Sequence, residues 1–182
     1  MDGKQTGGRL RLEAEERRKS IGKLIAVSAA PVTGGELAAR FRVTRQVVVQ
    51  DVALLRAGGA PILATPSGYI WVDRAAVPRP VRVLSCRHTT LSGARRELMI
   101  VVNAGGTVRD VIVEHPVYGE LTGSLMLHTP EDVEALMERL GRPGVLMLSS
   151  MTDGVHMHTV EAANEAALNR IERELRIAGI LL

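Results

Sequence analysis

The chain has 182 residues, enough for one large domain or two small ones, and either can bury a core. Hydrophobic residues make up 46% of the sequence but aromatic residues only 2%, so the core must be aliphatic. The single cysteine, Cys86, excludes an internal disulfide. Because no signal peptide or long apolar run is present, we expect a cytoplasmic protein that does not engage a membrane.

The charge of the chain is unevenly distributed. Residues 1–80 carry 13 Lys or Arg against 7 Asp or Glu, a balance of +6, whereas residues 81–182 carry 10 against 13, a balance of −3. A basic first half indicates a polyanionic partner that contacts only this part of the chain. The segment VPRP, residues 77–80, lies at the crossover and is predicted to be a linker.

The first half predicts three helices and a hairpin. Residues 1–12 are glycine-rich and polar, so a disordered tail is expected before a domain spanning 13–76. A first helix runs from Glu13 to before Pro31, with Ile21, Leu24 and Ile25 on its apolar face. The other predicted elements are a helix within 34–43, a helix capped by Thr44 that ends at Gly58, and two strands within 62–72 around the turn Pro66–Gly68.

This order is typical of a winged helix-turn-helix, whose third helix enters the major groove of DNA. Arg45 can donate two hydrogen bonds to guanine, and Gln46 or Gln50 can pair with adenine. The hairpin and the basic run of the first helix supply phosphate contacts. The full set of predicted DNA-binding residues is Thr44, Arg45, Gln46, Val49, Gln50, Thr65, Ser67, Arg17, Arg18 and Lys19. The other interpretation is a small helical bundle that docks another protein.

The second half, residues 81–182, predicts an α+β sandwich that is plausibly ferredoxin-like. Its predicted strands lie at 81–85, 107–115, 121–129, 144–149 and 154–160, and its predicted helices at 90–105, 129–141 and 162–179. Thr129, Pro130 and Gly141 mark the start and end of the middle helix. In the last strand the sequence VHMH places His156 and His158 two residues apart, and therefore on the same face of the sheet.

Two imidazoles on one face can offer two nitrogens to one metal ion. His88, just after the first strand, and Glu97, in the next helix, are the candidates for a third and fourth ligand, whereas the simpler interpretation of the pair is two unbound surface histidines. The sequence has no nucleophile elbow, phosphate-binding glycine loop or CxxC pattern, so we expect no enzyme. The alternatives are a metal-dependent hydrolase of a small anionic metabolite, with Glu114 as general base, and a sensor domain without metal.

Two separated motifs carry a resemblance to a known family. VTRQVVVQDVALLRAGGAPILATPSGYI (43–70) resembles the DNA-binding domain of bacterial niacin-responsive transcriptional repressors. VRDVIVEHPVYGELTGSL (108–125) and SSMTDGVHMHTVEA (149–162) resemble their C-terminal three-histidine, or 3H, regulatory domain. The resemblance implies a homodimeric repressor of genes for niacin uptake and NAD biosynthesis, with nicotinic acid as co-repressor.

The same resemblance implies a divalent transition metal held by His88, Glu97, His156 and His158. Nitrogen and carboxylate ligands suit nickel, zinc or iron, and ligand type alone does not choose among them. Nicotinic acid would complete the coordination of the metal or pair with Arg87 or Arg109, and His115 is a further candidate for effector binding. The implied partner is double-stranded operator DNA, with half-sites about one helical turn apart, roughly 34–36 Å.

Overall fold

The computed structural model describes residues 3–72 and 79–182. The chain divides into two compact units, Met1–Ala76 and Val77–Leu182. Two residues of the predicted linker, Val77 and Pro78, lie outside the described residues, while Arg79 and Pro80 are neither helix nor strand. Within the described ranges, no helix is both long enough and apolar enough to cross a membrane.

The N-terminal unit has three helices followed by a two-stranded antiparallel sheet, as the sequence predicts. Its elements are α1 (Gly3–Val27), α2 (Gly34–Phe41), α3 (Arg45–Ala57), β1 (Ile62–Thr65) and β2 (Gly68–Trp71). α1 begins ten residues before the expected start at Glu13, so its helix includes most of the segment for which a disordered tail was predicted. Extending an existing helix adds one hydrogen bond per residue, which offsets the low helix propensity of the glycines there.

Caps and a small aliphatic core fix the helices of this unit. Thr33 and Glu36 form a reciprocal capping box at the start of α2, and the Thr44 hydroxyl accepts from the backbone N–H of Val47 at the start of α3. One side of α3 packs inward through Val48 and Val52. Among the residues whose burial the structure describes, the buried cluster of this unit consists of Ile21, Ile25, Leu37, Val48, Val52 and Ile62.

The C-terminal unit is a four-stranded antiparallel sheet with helices packed on one face. Its elements are β3 (Val81–Arg87), α4 (Leu91–Asn103), β4 (Thr107–His115), β5 (Gly119–Leu127), α5 (Pro130–Leu140), a 3-10 helix (Leu148–Thr152), β6 (Val155–Glu161) and α6 (Glu165–Ile177). The strand predicted over 144–149 is wrong. Apolar residues follow one another in this segment without the alternation of a half-buried strand, and a loop leads instead into the 3-10 helix.

The strand order β3-β6-β4-β5 corrects the ferredoxin-like prediction. In a ferredoxin-like sheet, the second strand of the central hairpin would lie between the two strands of the first βαβ unit. Here β6 lies between β3 and β4, with antiparallel pairing on both sides. The strand that carries the two histidines is therefore central, and its covered face is in the middle of the core.

Candidate metal centre and DNA-binding surface

Four polar side chains meet beneath the helices of the C-terminal unit. The register Leu84↔His158 and Cys86↔His156 places both imidazoles of β6 beside β3, and His88 follows directly after β3. α4 brings Glu97 over them. The Glu97 carboxylate lies 2.9 Å from His88 Nε2, 3.2 Å from His156 Nε2 and 3.3 Å from His158 Nε2. The structure thus brings together all four predicted metal ligands.

Backbone carbonyls orient two of these imidazoles. His156 Nδ1 lies 2.8 Å from the Gly154 carbonyl, and His158 Nδ1 lies 2.5 Å from the Asp110 carbonyl. A carbonyl oxygen can only accept, so both Nδ1 atoms must carry hydrogen and donate it. In the neutral form of each ring, Nε2 then holds a lone pair that points at Glu97. This tautomer, fixed from behind by a carbonyl, is the one found in metal-ligating histidines.

Gly154 brings two of the ligands together. Its carbonyl accepts from the backbone N–H of His88 at 3.2 Å as well as from the His156 ring. Gly154 has a φ of +84°, and a Cβ at this position would lie 2.3 Å from the His88 carbonyl oxygen. Only glycine satisfies both the backbone angle and the close approach. Gly154, directly before β6, therefore holds His88 against that strand.

The charges in the cluster depend on each other. Burial by itself would raise the pKa of Glu97, but hydrogen bonds from His156 and His88 and the nearby imidazole charges lower that pKa well below its usual range. Burial opposes protonation of His156, yet Glu97 outweighs it and raises the pKa of His156. For His158, burial dominates and lowers the pKa. Near neutral pH, Glu97 is ionised and His158 is uncharged.

This arrangement leaves buried polar atoms without partners. Within the described part of the chain, Glu97 Oε1 and His88 Nδ1 make no hydrogen bond. Glu97 Oε1 is 3.3 Å from His158 Nε2, but two acceptors face each other there because the His158 ring is neutral and its hydrogen is on Nδ1. Burying two acceptor atoms that face each other costs folding free energy unless a cation or a proton lies between them.

The donor set fits a divalent transition metal. One ligand atom from each of His88, Glu97 and His156 lies within 4.8 Å of the others, and His158 Nε2 is close to the second oxygen of Glu97. Ligand bonds of about 2.0–2.2 Å require neighbouring ligand atoms to be about 3.0–3.5 Å apart, which is close to the nitrogen–oxygen distances observed. Cys86 lies on the same face, but burial and the nearby Glu97 raise the pKa of its thiol, which disfavours a thiolate ligand.

An apolar cavity adjoins the three imidazoles of the cluster. Its wall is formed by side chains from α4, β4, β5, α5 and the loop before the 3-10 helix: Leu98, Val111, Leu125, Leu136, Leu140 and Met147. His88, His156 and His158 form the polar end, together with Ser149. Among the described residues that line it there is no lysine or arginine. A bound anion could find positive charge only at the histidine end.

The three predicted effector-binding residues lie apart from this cavity. Arg87 is exposed at the end of β3, and Arg109 lies 3.8 Å from Glu161. His115 is at the β4–β5 turn, where its Nδ1 accepts from the backbone N–H groups of Val117 and Tyr118. Its side chain is therefore part of the turn.

Glu114, the general base of the hydrolase alternative, is on the wrong face of the sheet. Ile112 pairs with Met157, which points away from the face that carries His156 and His158. Glu114 is two residues from Ile112 and shares its face. The structure therefore does not place Glu114 beside the imidazoles, where the hydrolase alternative requires it.

The predicted DNA-reading residues of α3 form an exposed surface. Arg45, Gln46, Val49 and Gln50 are all exposed along the first two turns of the helix. Thr44 caps the helix, while Thr65 donates from its hydroxyl to the Gly68 carbonyl within the hairpin, and Ser67 is half-buried in that turn. Thr44 and Thr65 thus already stabilise the ends of the elements that would approach DNA.

The three residues of α1 that are predicted to contact phosphates have partners within the unit. Arg17 Nε lies 2.6 Å from the buried Asp51 carboxylate, and Arg18 lies 3.7 Å from the other oxygen of Asp51. Lys19 pairs with Glu15 at 2.9 Å on the surface. Arg17 therefore ties α1 to α3, a role that the sequence analysis missed. The only signal for it is an acidic residue, Asp51, among the apolar positions of α3.

Comparison with known proteins agrees with both units. Residues 17–70 match the model of an HTH domain, and residues 81–182 match that of the 3H domain. The chain is 39% identical over 175 residues to "Transcription repressor NadR" of Bacillus subtilis, covering 95% of this chain and 97% of the relative. It is 41% identical over 169 residues to "Probable transcription repressor NiaR" of Thermotoga maritima, covering 92% and 94%. The chain therefore belongs to the family of DNA-binding transcription repressors that join an HTH domain to a 3H domain.

Proposed function

We propose that the C-terminal unit is a metal-dependent sensor of nicotinic acid and that its occupancy controls how a homodimer binds operator DNA upstream of genes for niacin uptake and NAD biosynthesis. The observation that carries the proposal is the convergence of three imidazole Nε2 atoms on the Glu97 carboxylate. Two of these rings donate from Nδ1 to backbone carbonyls, so their Nε2 lone pairs are committed to the cluster. A buried set of acceptors around one point is suited to a cation.

His88, Glu97, His156 and His158 would hold the metal, which would supply a Lewis-acid centre and an open coordination position. Nickel, zinc and iron all accept imidazole and carboxylate ligands, and we propose one of these three. Glu97 raises the pKa of His156, so a proton on His156 Nε2 competes with the ion, because only the unprotonated nitrogen can be a ligand. Binding therefore weakens as the pH falls.

The apolar cavity supports a small flat carboxylate as the effector. A pyridine ring would contact the aliphatic side chains of Leu98, Leu125 and Leu136. A carboxylate buried in such a cavity needs a positive partner, and the described lining offers no lysine or arginine. Of the two predicted modes of effector binding, completion of the metal coordination is therefore the one we propose, because Arg87 and Arg109 do not line the cavity.

The exposed surface of α3 supports the DNA-binding part of the proposal. A homodimer would present two such helices to a palindromic operator with half-sites roughly 34–36 Å apart. Effector binding would favour the dimer geometry in which both helices reach successive major grooves. Coupling free energies of this kind are about 1–3 kcal/mol, which corresponds to about 5- to 150-fold in affinity.

Fluorescence anisotropy with labelled promoter DNA from a niacin uptake gene tests the proposal. Nickel and nicotinic acid together should raise the affinity by about 5- to 150-fold, and the metal alone or nicotinic acid alone should have a smaller effect. Nicotinamide, which lacks the carboxylate, is the matched ligand control. An affinity that does not respond to metal and nicotinic acid in any combination would contradict the sensor role, while binding of a scrambled duplex with equal affinity would contradict operator recognition.

A further inference from the structure

β4 is irregular where it passes the middle of β6. Val108 pairs with Val160 and Ile112 with Met157, so β4 takes four residue steps where β6 takes three. The pairing of β4 with β5 also shifts, between Val108 and Asp110. An extra residue on one strand is a β-bulge, which bends the strand and redirects its polar groups, and bulges are common beside functional sites. Asp110 lies inside this bulge.

Asp110 makes two different hydrogen bonds to β6. Its side-chain Oδ1 accepts from the backbone N–H of Thr159 at 2.9 Å. Its backbone carbonyl accepts from His158 Nδ1 at 2.5 Å. In a regular antiparallel ladder, a backbone carbonyl accepts the N–H of the neighbouring strand. Here the carboxylate takes that donor, and the carbonyl is released for the imidazole.

We infer that Asp110 is a positioning residue for the metal centre, which it serves by holding the bulge so that His158 presents Nε2 to Glu97. The inference rests on the proposed metal-binding function and deepens it. Without the hydrogen bond to the Asp110 side chain, the Thr159 N–H would lose its acceptor. A backbone carbonyl of β4 could replace that acceptor only if the bulge closed and the regular pairing of β4 with β6 were restored. Closing the bulge would withdraw the carbonyl from His158 Nδ1 and free that ring to rotate or change tautomer.

The same segment connects the metal centre with the cavity. Val111 follows Asp110 directly and lines the cavity, as does Leu125 on the opposing part of β5. A ligand that presses on Val111 therefore acts on the residue next to the one that orients His158. Asp110 thus also provides a short route by which occupancy of the cavity can affect the orientation of a metal ligand.

Titration of the full-length protein with Ni²⁺ after chelator treatment tests this role. Asp110→Ala should bind Ni²⁺ about 10- to 100-fold more weakly than the wild type, the range typical for loss of a residue that orients a metal ligand. Asp110→Asn keeps an oxygen acceptor for the Thr159 N–H and should retain near wild-type affinity. Asp110→Ser, whose hydroxyl is too short to replace the carboxylate as acceptor for the Thr159 N–H, should lose as much affinity as Asp110→Ala and serves if the alanine variant does not fold.

Asp132→Ala is the matched control for stability. Asp132 accepts from the backbone N–H groups of His128 and Thr129 at the start of α5, so its loss destabilises the same unit without touching the metal centre. This variant should melt at a lower temperature and bind Ni²⁺ like the wild type. Nitrogen NMR of the metal-free protein gives a second readout, because His158 should be a single Nδ1–H tautomer in the wild type and a mixture in Asp110→Ala.

The outcomes separate the two proposals. If the wild type binds no Ni²⁺, Zn²⁺ or Fe²⁺, the proposed metal function is overturned and this role falls with it. If the wild type binds Ni²⁺ and Asp110→Ala binds it equally well, only the positioning role is overturned. An equal loss in Asp110→Asn and Asp110→Ala would show that the charge of Asp110, and not its hydrogen bond, matters, and would also overturn it.

Discussion

Each unit of the protein buries a carboxylate, but the two carboxylates have different partners. Asp51 in α3 is paired with Arg17 and Arg18, whose guanidinium groups are charged at every accessible pH. Glu97 in α4 is surrounded by three imidazoles, which are neutral or charged according to their environment. Both residues are almost fully buried, with exposed fractions of 2% and 1%.

The partner decides what each carboxylate can do. The Asp51 pair is complete, because the anion meets permanent cations and nothing is left for a ligand. In the Glu97 cluster one oxygen has no hydrogen bond among the described residues, and the neighbouring nitrogens can exchange a proton for a metal ion. A closed pair fixes the position of two helices, whereas an open cluster provides a binding site. Substitutions in both units test this distinction.

The largest effect is expected for the double variant His156→Ala, His158→Ala. Removing two of four ligands should abolish detectable metal binding, a larger loss than the about 10- to 100-fold that follows from changing an outer-shell partner. Metal content of protein purified without chelator, together with calorimetric titration with Ni²⁺, measures the change. The double variant should also lose any response of DNA affinity to nicotinic acid.

The other pair of histidines in the unit supplies the matched control. His115 accepts from backbone N–H groups in the β4–β5 turn, and His128 Nδ1 lies 3.1 Å from the Thr107 hydroxyl. Neither contacts Glu97 through any bond found in the described part of the chain. The double variant His115→Ala, His128→Ala should keep the wild-type metal content. Equal metal loss in both double variants would show that the ions bind to histidines nonspecifically.

Asp51→Ala should destabilise the N-terminal unit by about 1.5–3 kcal/mol, the range for removing a hydrogen bond to a charged group. The half-buried Arg17 would lose its partner, and α1 would be held to α3 by apolar contacts alone. Trp71 is the only tryptophan of the chain and lies in β2 of this unit. Urea unfolding followed by tryptophan fluorescence therefore measures the free energy of unfolding of this unit.

A surface ion pair in α1 provides the comparison for the buried pair. Lys19 and Glu15 are exposed and lie 2.9 Å apart, so Lys19→Ala should leave the free energy of unfolding nearly unchanged. The metal affinity should be unchanged in both variants. If Asp51→Ala were as stable as Lys19→Ala, the Asp51 ion pair would not hold α1 against α3. The structural role that we assign to Asp51, in contrast to the binding role of Glu97, would then be wrong.

Much of the fold follows from local sequence signals. Thr44, Thr129 and Pro130 mark helix starts in the sequence and do so in the structure, because a cap depends only on residues within one turn. The strand order does not follow from such signals. Nothing in the local sequence of β6 states that it pairs with both β3 and β4, since that choice depends on how the whole sheet packs. The ferredoxin-like prediction failed at this point.

The sequence predicts which residues form the metal cluster, but it does not predict the hydrogen bonds that orient them. The spacing of His156 and His158 indicates a shared face, whereas Glu97 joins them only through the packing of α4. The roles of Asp110 and Gly154 depend on backbone carbonyls that no sequence motif marks. The charge of Arg87 and Arg109 makes them effector candidates in the sequence, but the structure places an apolar cavity, which neither residue lines, beside the histidines.

Apart from the control variants, the smallest effect is expected for a substitution on the exposed surface of α3. Arg45→Ala should reduce affinity for operator DNA by about 1–3 kcal/mol if the guanidinium reads a base, and the loss should be confined to operators that contain that base. Because Arg45 is exposed, its removal should leave the tryptophan-detected unfolding of the unit nearly unchanged. Anisotropy titrations on the operator and on duplexes with single base-pair changes measure the effect.

The matched control is Arg56→Ala, which removes the same charge from the last turn of α3, away from the predicted reading surface. Both variants lose one positive charge, so both should weaken nonspecific binding by a similar, salt-dependent amount. Only Arg45→Ala should change the ranking of duplex sequences. A uniform loss on every duplex would make Arg45 a phosphate contact. In that case the N-terminal unit would recognise its operator through Gln46 or Gln50, which occupy the same exposed surface and can pair with adenine.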